Sequence, residues 1–383
     1  MPRPRDVNII VPQTAEEDSQ IPIEDRWYLG DAGKERVYDK NGVWRDKLPD
    51  DENLRIFDQI KGMLTKDCIS QAEPKAIFLG GQPGAGKSGM GQIAQTDLEN
   101  LFCIDIDELR VPHPRYIEHT QHNPANGATS VQKDASTWGK KFLEYAIEQK
   151  FNIIYDGTLG NAESAEVKAE QLNKAKYQIE VYAVATNEKV SQEGVRHRYE
   201  EGFKLKREKL AQAEAESDPD KAAELRKEAD MIIPRNVEGD IQKEAYEGLP
   251  DALTHLQKLR DKDGKRVIKS LKVFDRSYNK DVRPNVLAEA PPDTEPSPAT
   301  VMQNKRVEEL SDHEKIAYNN SCKETILWKT TRLEEYERTI STVSEVEQVR
   351  MREEIKNLRI DIAEEDRIRH QSLGPWLETL ENI

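Results

Sequence analysis

From residue 52 onward the chain alternates between two hydrophobic periodicities. Residues 52–66 (ENLRIFDQIKGMLTK) repeat apolar side chains at three-and-four spacing, which puts Leu54, Phe57, Ile60 and Leu64 on one face and predicts a helix leading into a core. Five short, almost wholly apolar runs follow at 75–79, 101–104, 151–155, 179–185 and 271–274. Runs of that length without polar alternation suit strands covered on both faces, as in a parallel sheet. Stretches of helical period, such as 138–150, separate most of them. The expected fold is therefore α/β, a right-handed parallel sheet covered by helices.

Four segments depart from this rhythm. Residues 1–50 are expected to be an N-terminal arm, polar and punctuated by Pro2, Pro4, Pro12 and Pro22, with Trp27, Tyr28 and Trp44 as its packing residues. Residues 203–230 are almost wholly helix formers broken by Asp218-Pro219, which predicts an inserted helical hairpin within an α/β domain spanning 51–287. The four prolines of AEAPPDTEPSPAT mark a linker over 288–300. Beyond it, residues 301–383 contain 13 basic and 18 acidic residues, no strand candidate, and Leu333, Tyr336, Ile340 and Val343 at helical spacing. That predicts an all-helical C-terminal appendix, with the charged face of 345–369 in solvent.

Composition narrows the range of functions. Charged residues make up 34 % of the chain, above the usual share of about a quarter, as expected if part of it is thinly packed helix. With 57 basic against 72 acidic residues the net charge is −15, which opposes a nucleic-acid partner because phosphate binding needs a positive field. Cys68, Cys103 and Cys322 are odd in number and far apart, so they form neither a disulfide framework nor a Cys-x-x-Cys metal spacing, and they point to a reducing compartment. No apolar stretch suits a signal peptide or a membrane span, so the expected location is cytoplasmic, with no membrane partner. His113, His119 and His122 lie close together in HPRYIEHTQH but are not read as a metal set.

The candidate chemistry centres on Gly81-Gln82-Pro83-Gly84-Ala85-Gly86-Lys87-Ser88, a G-x-x-x-x-G-K-S pattern between an apolar run and a helix. Glycines let successive backbone N–H groups wrap phosphates and the helix N-terminus adds positive dipole. Lys87 would then reach the β- and γ-phosphates and the Ser88 hydroxyl would meet Mg²⁺. FCIDIDELR sets Asp105 and Asp107 at the end of the second strand, where open α/β sheets bind ligands. One carboxylate there can take a proton from an acceptor hydroxyl while the other assists the metal; the alternative is a helix cap by Asp107. A third strand ends in Asp156 and Thr158 beside the same crevice, and spacing alone leaves the division of labour between Asp156 and Asp105 open.

GQPGAGKS, IDIDELRVPHPRY, the YDGT strand end, Arg198-Tyr199-Glu200 and IPRNVEGDIQKEAYEGLPDALTHL follow one another in the order and approximate spacing of the zeta toxin family. These are P-loop kinases of toxin–antitoxin systems that phosphorylate UDP-N-acetylglucosamine on its 3′-hydroxyl. The chain resembles them over about residues 52–280. The resemblance implies a P-loop kinase-type sheet and the cofactors ATP and Mg²⁺. It implies Asp107 as catalytic base, Lys87, Arg198 and Arg235 on the ATP phosphates, and Asp156, Thr158, Arg110 and His113 on the sugar-nucleotide side. It also implies a small helical antitoxin of the epsilon type, whose helix covers the ATP cleft in relatives. Where the family usually has Glu-Gly-Thr-Gly-Arg, this chain has Asp156-Gly157-Thr158-Leu159-Gly160-Asn161. A shorter carboxylate and a missing arginine predict a broader range of UDP-sugar acceptors. A kinase of a nucleotide or dinucleotide, a nucleotide-sensing interaction protein, and self-shielding by 1–50 or 301–383 are the alternatives.

Overall fold

The structure, a computed structural model, describes residues 48–98, 100–122, 127–237, 239–278, 283–290, 295–374 and 376–377. The expected packing role of Trp27, Tyr28 and Trp44 falls outside the described residues. The chain divides into two compact units, one formed by residues up to 82, 86–185 and 237–304, the other by 83–85, 186–236 and 305 onward.

The first unit carries the sheet. Its parallel strands are β1 (Lys75–Gly80), β2 (Leu101–Asp105), β3 (Asn152–Asp156), β4 (Gln178–Ala185) and β5 (Ile268–Asp275), in the order β2-β3-β1-β4-β5. Ala76, Ile77, Phe78 and Leu79 of β1 are all buried, as a central strand covered on both faces requires. The helices α1 (Asp50–Leu64), α2 (Lys87–Asp97), α3 (Tyr116–His122), α4 (Gln132–Gln149), α5 (Ala162–Lys174) and α8 (Gly239–Lys258) belong to this unit. The chain leaves β1 for β2, then returns to insert β3 between them, so the strand order reverses beside β1 and opens a crevice at the carboxyl ends of the strands.

Two expectations change in this unit. A sixth strand, β6 (Val286–Ala290), pairs antiparallel with β5, and α9 (Pro298–Val307) begins before the expected linker ends. The unpaired backbone edge of β5 explains the first of these, since a following segment satisfies it whatever its own propensity. In α1, Leu54 is 48 % exposed, while Asn53, Ile56, Phe57, Ile60 and Leu64 are buried. The stripe is rotated because Asn53 is drawn inward, where its side-chain amide donates to Asp134 at 2.7 Å and its backbone carbonyl accepts from the Trp138 indole at 3.0 Å.

The second unit is helical: α6 (Glu188–Ala215), α7 (Pro219–Met231), α10 (Asp312–Thr339) and α11 (Glu345–Leu373). Asp218 caps α7 by accepting from Asp220 N and Lys221 N, with Pro219 at its first position, so the expected break falls at that dipeptide. The expected boundaries assigned 51–287 to one domain and 301–383 to another. Here residues 186–236 group with the C-terminal helices instead, because α6 is one unbroken 28-residue helix whose charged residues pair with α10 and α11. For the same reason the face of 345–369 is not wholly solvated: Glu365 and Arg369 are buried. Cys322 is buried in α10, whereas Cys68 and Cys103 are only partly so. Among the described residues no helix is long and apolar enough to cross a membrane.

Candidate active site

The glycine-rich turn joins the buried end of β1 to α2. Gly84 and Gly86 have φ of 76° and 94°, left-handed values that a side chain would strain. A Cβ on Gly84 would also collide with the Ser191 carbonyl of α6. Gly81 N donates to Thr158 O at 3.2 Å, and the Thr186 hydroxyl donates to Ala85 O at 2.8 Å. The turn is thus tied to the ends of β3 and β4. It delivers Lys87 and the exposed Ser88 at the first turn of α2, where backbone N–H groups have no helical acceptor.

Lys87 Nζ lies 3.1 Å from Asp156 Oδ1 and donates to Gly157 O at 2.9 Å. Burial works against its charge, but Asp156, Asp107 and Asp105 outweigh burial and hold its pKa above the ordinary value. Asp105 and Asp156 stand opposite each other in the β2–β3 register. Burial, then Asp156 and Asp107, push the Asp105 carboxyl up to about 7. Three carboxylates against one ammonium leave a local excess of negative charge that suits a divalent cation. The donors on hand, carboxylate and hydroxyl oxygens, are hard ligands of the magnesium type.

Asp105, not Asp107, does the capping: its Oδ1 accepts from Asp107 N at 2.8 Å and Glu108 N at 3.4 Å, while Asp107 makes no side-chain cap. The Asp107 side chain is 46 % exposed and pairs with Arg110 at 2.9 Å. Arg110 in turn donates from Nε to Gln132 Oε1 at 2.7 Å, and Gln132 donates to Ser136 Oγ at 3.0 Å. Gln132, at the start of α4, therefore braces Arg110, and Arg110 orients Asp107. Gln132 carries no motif and lies 22 residues from Arg110 in the chain, so only the fold reveals it.

Expected as a substrate ligand, His113 is instead a core residue. Its side chain is fully buried, with Nε2 3.6 Å from Asp134 and the ring beside Trp138. Nδ1 accepts from Arg115 N at 3.2 Å, which assigns a neutral ring's proton to Nε2. The apolar wall of Trp138 and the Asp134 network that also binds Leu48 N and Asn53 leave it no face toward a ligand.

Thr158 sits in the turn after β3, its hydroxyl accepting from Gly160 N at 3.2 Å. Leu159, where the family pattern has glycine, takes a left-handed φ of 50°. In the same register Gly160 stands where that pattern has arginine, and Asn161 caps α5 by accepting from Ser164 N. At the far edge of the turn a Cβ on Gly86 would lie 3.3 Å from the stem of Arg276, just past β5, a contact no motif announces.

In the second unit Arg198 is exposed on α6. Ser191, Val195, Arg198 and Gly202 share one helical face. The backbone of Ser191 and Val195 abuts Gly84, and Gly202 abuts Pro234 so closely that a Cβ would sit 2.8 Å from its Cα. That contact brings the strand of chain bearing Arg235 to the turn following Arg198.

Comparison with known proteins agrees with this picture. The zeta toxin family model matches residues 61–283. Toxin PezT of Streptococcus pneumoniae serotype 4 is 30 % identical over 139 residues, covering 36 % of this chain and 55 % of the toxin. Toxin zeta of Streptococcus agalactiae is 26 % identical over 139 residues, covering 36 % and 48 %. The chain thus spans about half the length of the curated relatives it matches. A solved chain of the PezAT chromosomal toxin–antitoxin system of S. pneumoniae superposes with a TM-score of 0.56 at 20 % identity, covering 74 % of this chain and 98 % of that one, which shows a shared fold. With the family model spanning the glycine-rich turn, Asp105, Asp107 and Asp156, and the helix of Arg198, the chain belongs to the zeta toxin family.

Proposed function

We propose that this protein is a cytoplasmic toxin kinase that transfers the γ-phosphate of ATP to a sugar hydroxyl of UDP-N-acetylglucosamine, the 3′-hydroxyl, and of related UDP-sugars. The observation that carries the reading is Lys87 held at the mouth of a glycine-rich turn among three strand-end carboxylates. An anion-binding turn beside a hydroxyl-directed base is what phosphoryl transfer needs. Membership of a toxin family supports the toxic role, and the likeness to a PezAT chain supports a small helical antitoxin, of the epsilon type, as partner.

In this reading the backbone of Gly81–Ser88 holds the triphosphate and Lys87 bridges its β- and γ-phosphates. Asp107, oriented by Arg110, takes the proton of the acceptor hydroxyl. The freed oxygen bonds to the γ-phosphorus as the bond to the β–γ bridging oxygen breaks, and ADP departs with that electron pair. Arg198 and Arg235 meet the charge spread over the migrating group. Ser88 and Asp105 would hold Mg²⁺, which supplies charge neutralisation between the β- and γ-phosphates when bound. Asp156 and Thr158 hold the acceptor. The shorter Asp156 and the missing arginine fix it less tightly than a glutamate and an arginine would, so several UDP-sugars are accepted.

The test is mass analysis of the small molecules left after the purified chain meets Mg·ATP and a mixture of UDP-GlcNAc, UDP-GalNAc, UDP-glucose, UDP-MurNAc, NAD and oligonucleotides. The expected products are UDP-sugars one phosphate heavier, with less than about a hundredfold preference among them. Asp107→Ala is expected to slow their formation by about 10²–10⁴. Transfer only to NAD or to oligonucleotides rejects the sugar reading; ATP binding without any transfer rejects the kinase.

A further inference from the structure

The helix that carries Arg198 has a second face, and the C-terminal region occupies it. On the side of α6 opposite Arg198 lie Glu193, Arg196, His197, Glu200, Lys204 and Arg207. Each meets α10 or α11. Glu193 accepts from the Ser321 and Thr325 hydroxyls at 3.0 and 2.8 Å, and Arg196 pairs with Glu365 at 2.9 Å. His197 binds Glu324 at 2.9 Å and packs on the Trp328 ring, over which Lys204 also lies at 4.9 Å. Glu200 pairs with Arg332 at 2.7 Å, and the same guanidinium stacks 4.0 Å above Phe203. Arg207 faces Glu335 at 3.6 Å. Glu193, Glu200 and Glu365 are 1–2 % exposed and Lys329, the second partner of Glu365, is 6 % exposed.

We propose that the α10–α11 hairpin is a positioning segment for α6, holding that helix in a single register so that Arg198 stays on the Gly84 side and Arg235 stays beside it. The choice of charges over apolar contacts is the reason to read position rather than bulk stability. Buried ion pairs add little net stability compared with apolar packing, but a partner that slips leaves a desolvated, unpaired charge, which is strongly unfavourable. An apolar seam would let α6 slide or rotate by part of a turn; these pairs close in one alignment only. Register matters most for a helix whose arginine must meet a migrating phosphate, because a displacement of about 1 Å can cost about a hundredfold in rate. Glu193, Glu365 and Cys322 also bring ligand-type atoms within 4.8 Å of one another. Arg196 and Lys329 already bind those carboxylates, so this cluster is an ionic clamp and not a metal site.

The inference rests on the kinase reading for the role of Arg198, and its test separates the two. In the full chain, Glu200→Gln, Arg332→Met and their combination are compared with wild type for kcat, for the KM of ATP, for the affinity of a fluorescent ATP analogue, and for hydrogen exchange across 188–207. Each single variant is expected to lower kcat between about tenfold and a hundredfold and to speed exchange over 195–207, with the double variant no worse than either single one. A purely structural pair would lower Tm and leave the kcat of the folded protein unchanged. Wild-type kcat and exchange in both single variants overturn the proposal, as does strict additivity in the double variant. Should wild type bind the analogue and transfer phosphate to nothing, the kinase reading fails, and the hairpin is judged on exchange and affinity, where unchanged values in both single variants overturn it.

Discussion

Asp105 keeps its proton well past the ordinary aspartate range because it is buried between Asp156 and Asp107. Its value in the fold, about 7, lies above the 3.8 of the free side chain. The folded protein therefore binds more protons than the unfolded chain between those values, and the nucleotide-free protein loses stability as pH rises through that window. Glu193, also pushed up to about 7, adds to the same slope. Asp105→Asn is expected to flatten the fall of Tm between about pH 4 and 7 without removing it; a melting series showing an unchanged slope contradicts the assignment. His113 makes the opposite point about legibility. The motif HPRY suggested a ligand, yet the side chain is sealed against Trp138 and Asp134. His113→Ala should lower stability by about 2 kcal/mol or more, read by denaturant unfolding, and leave the KM for the acceptor of the proposed reaction unchanged. Glycines, lysine and strand-end aspartates are legible because their chemistry is local. Gln132 and Arg276 are not, since they reach the site from 22 residues beyond Arg110 and from the end of β5.

At the scale of elements, the strands were legible and the partners of the helices were not. β1, β3 and the second half of β4 show in the sequence as apolar runs because a strand covered on both faces has little room for polar residues, whereas β5, with Lys269 exposed and Lys272 paired to Glu180 and Glu289, shows only over 271–274. β6 is not legible in the sequence because Val286–Ala290 is ordered by the open edge of β5, and its alternation alone looks like the start of a proline-rich linker. The Asp218-Pro219 break between α6 and α7 was visible, since a cap and a proline at the first helical position act within a few residues. The charged surface of α6 reads from composition as a solvated face. In the structure Glu193 and Glu200 on that surface are 1 % exposed, because α10 brings the Arg332 guanidinium to Glu200 and the Ser321 and Thr325 hydroxyls to Glu193 from more than 120 residues away. Charge on a helix predicts solvent only where no complementary charge folds back onto it.

For the molecule as a whole, the acidic chain divides at α6: a sheet unit bearing Lys87 and the carboxylates, and a helical unit bearing both arginines. Phosphorylating a nucleotide sugar would drain a precursor of the cell wall, so induction of the wild-type chain in a bacterial host is expected to arrest growth and Asp107→Ala to relieve it. Equal growth curves for the two count against toxicity by this route. The class of the fold, the phosphate turn and the family could be read from residue order, because apolar run length, a glycine pattern and strand-end carboxylates are short-range facts about a chain. The pairing of β6, the burial of His113, the Gln132–Arg110–Asp107 relay and the grouping of α6 with the C-terminal helices depended on contacts between distant residues. Such contacts follow from which surfaces remain to be covered once the local elements have formed, and no window of sequence contains both halves of them.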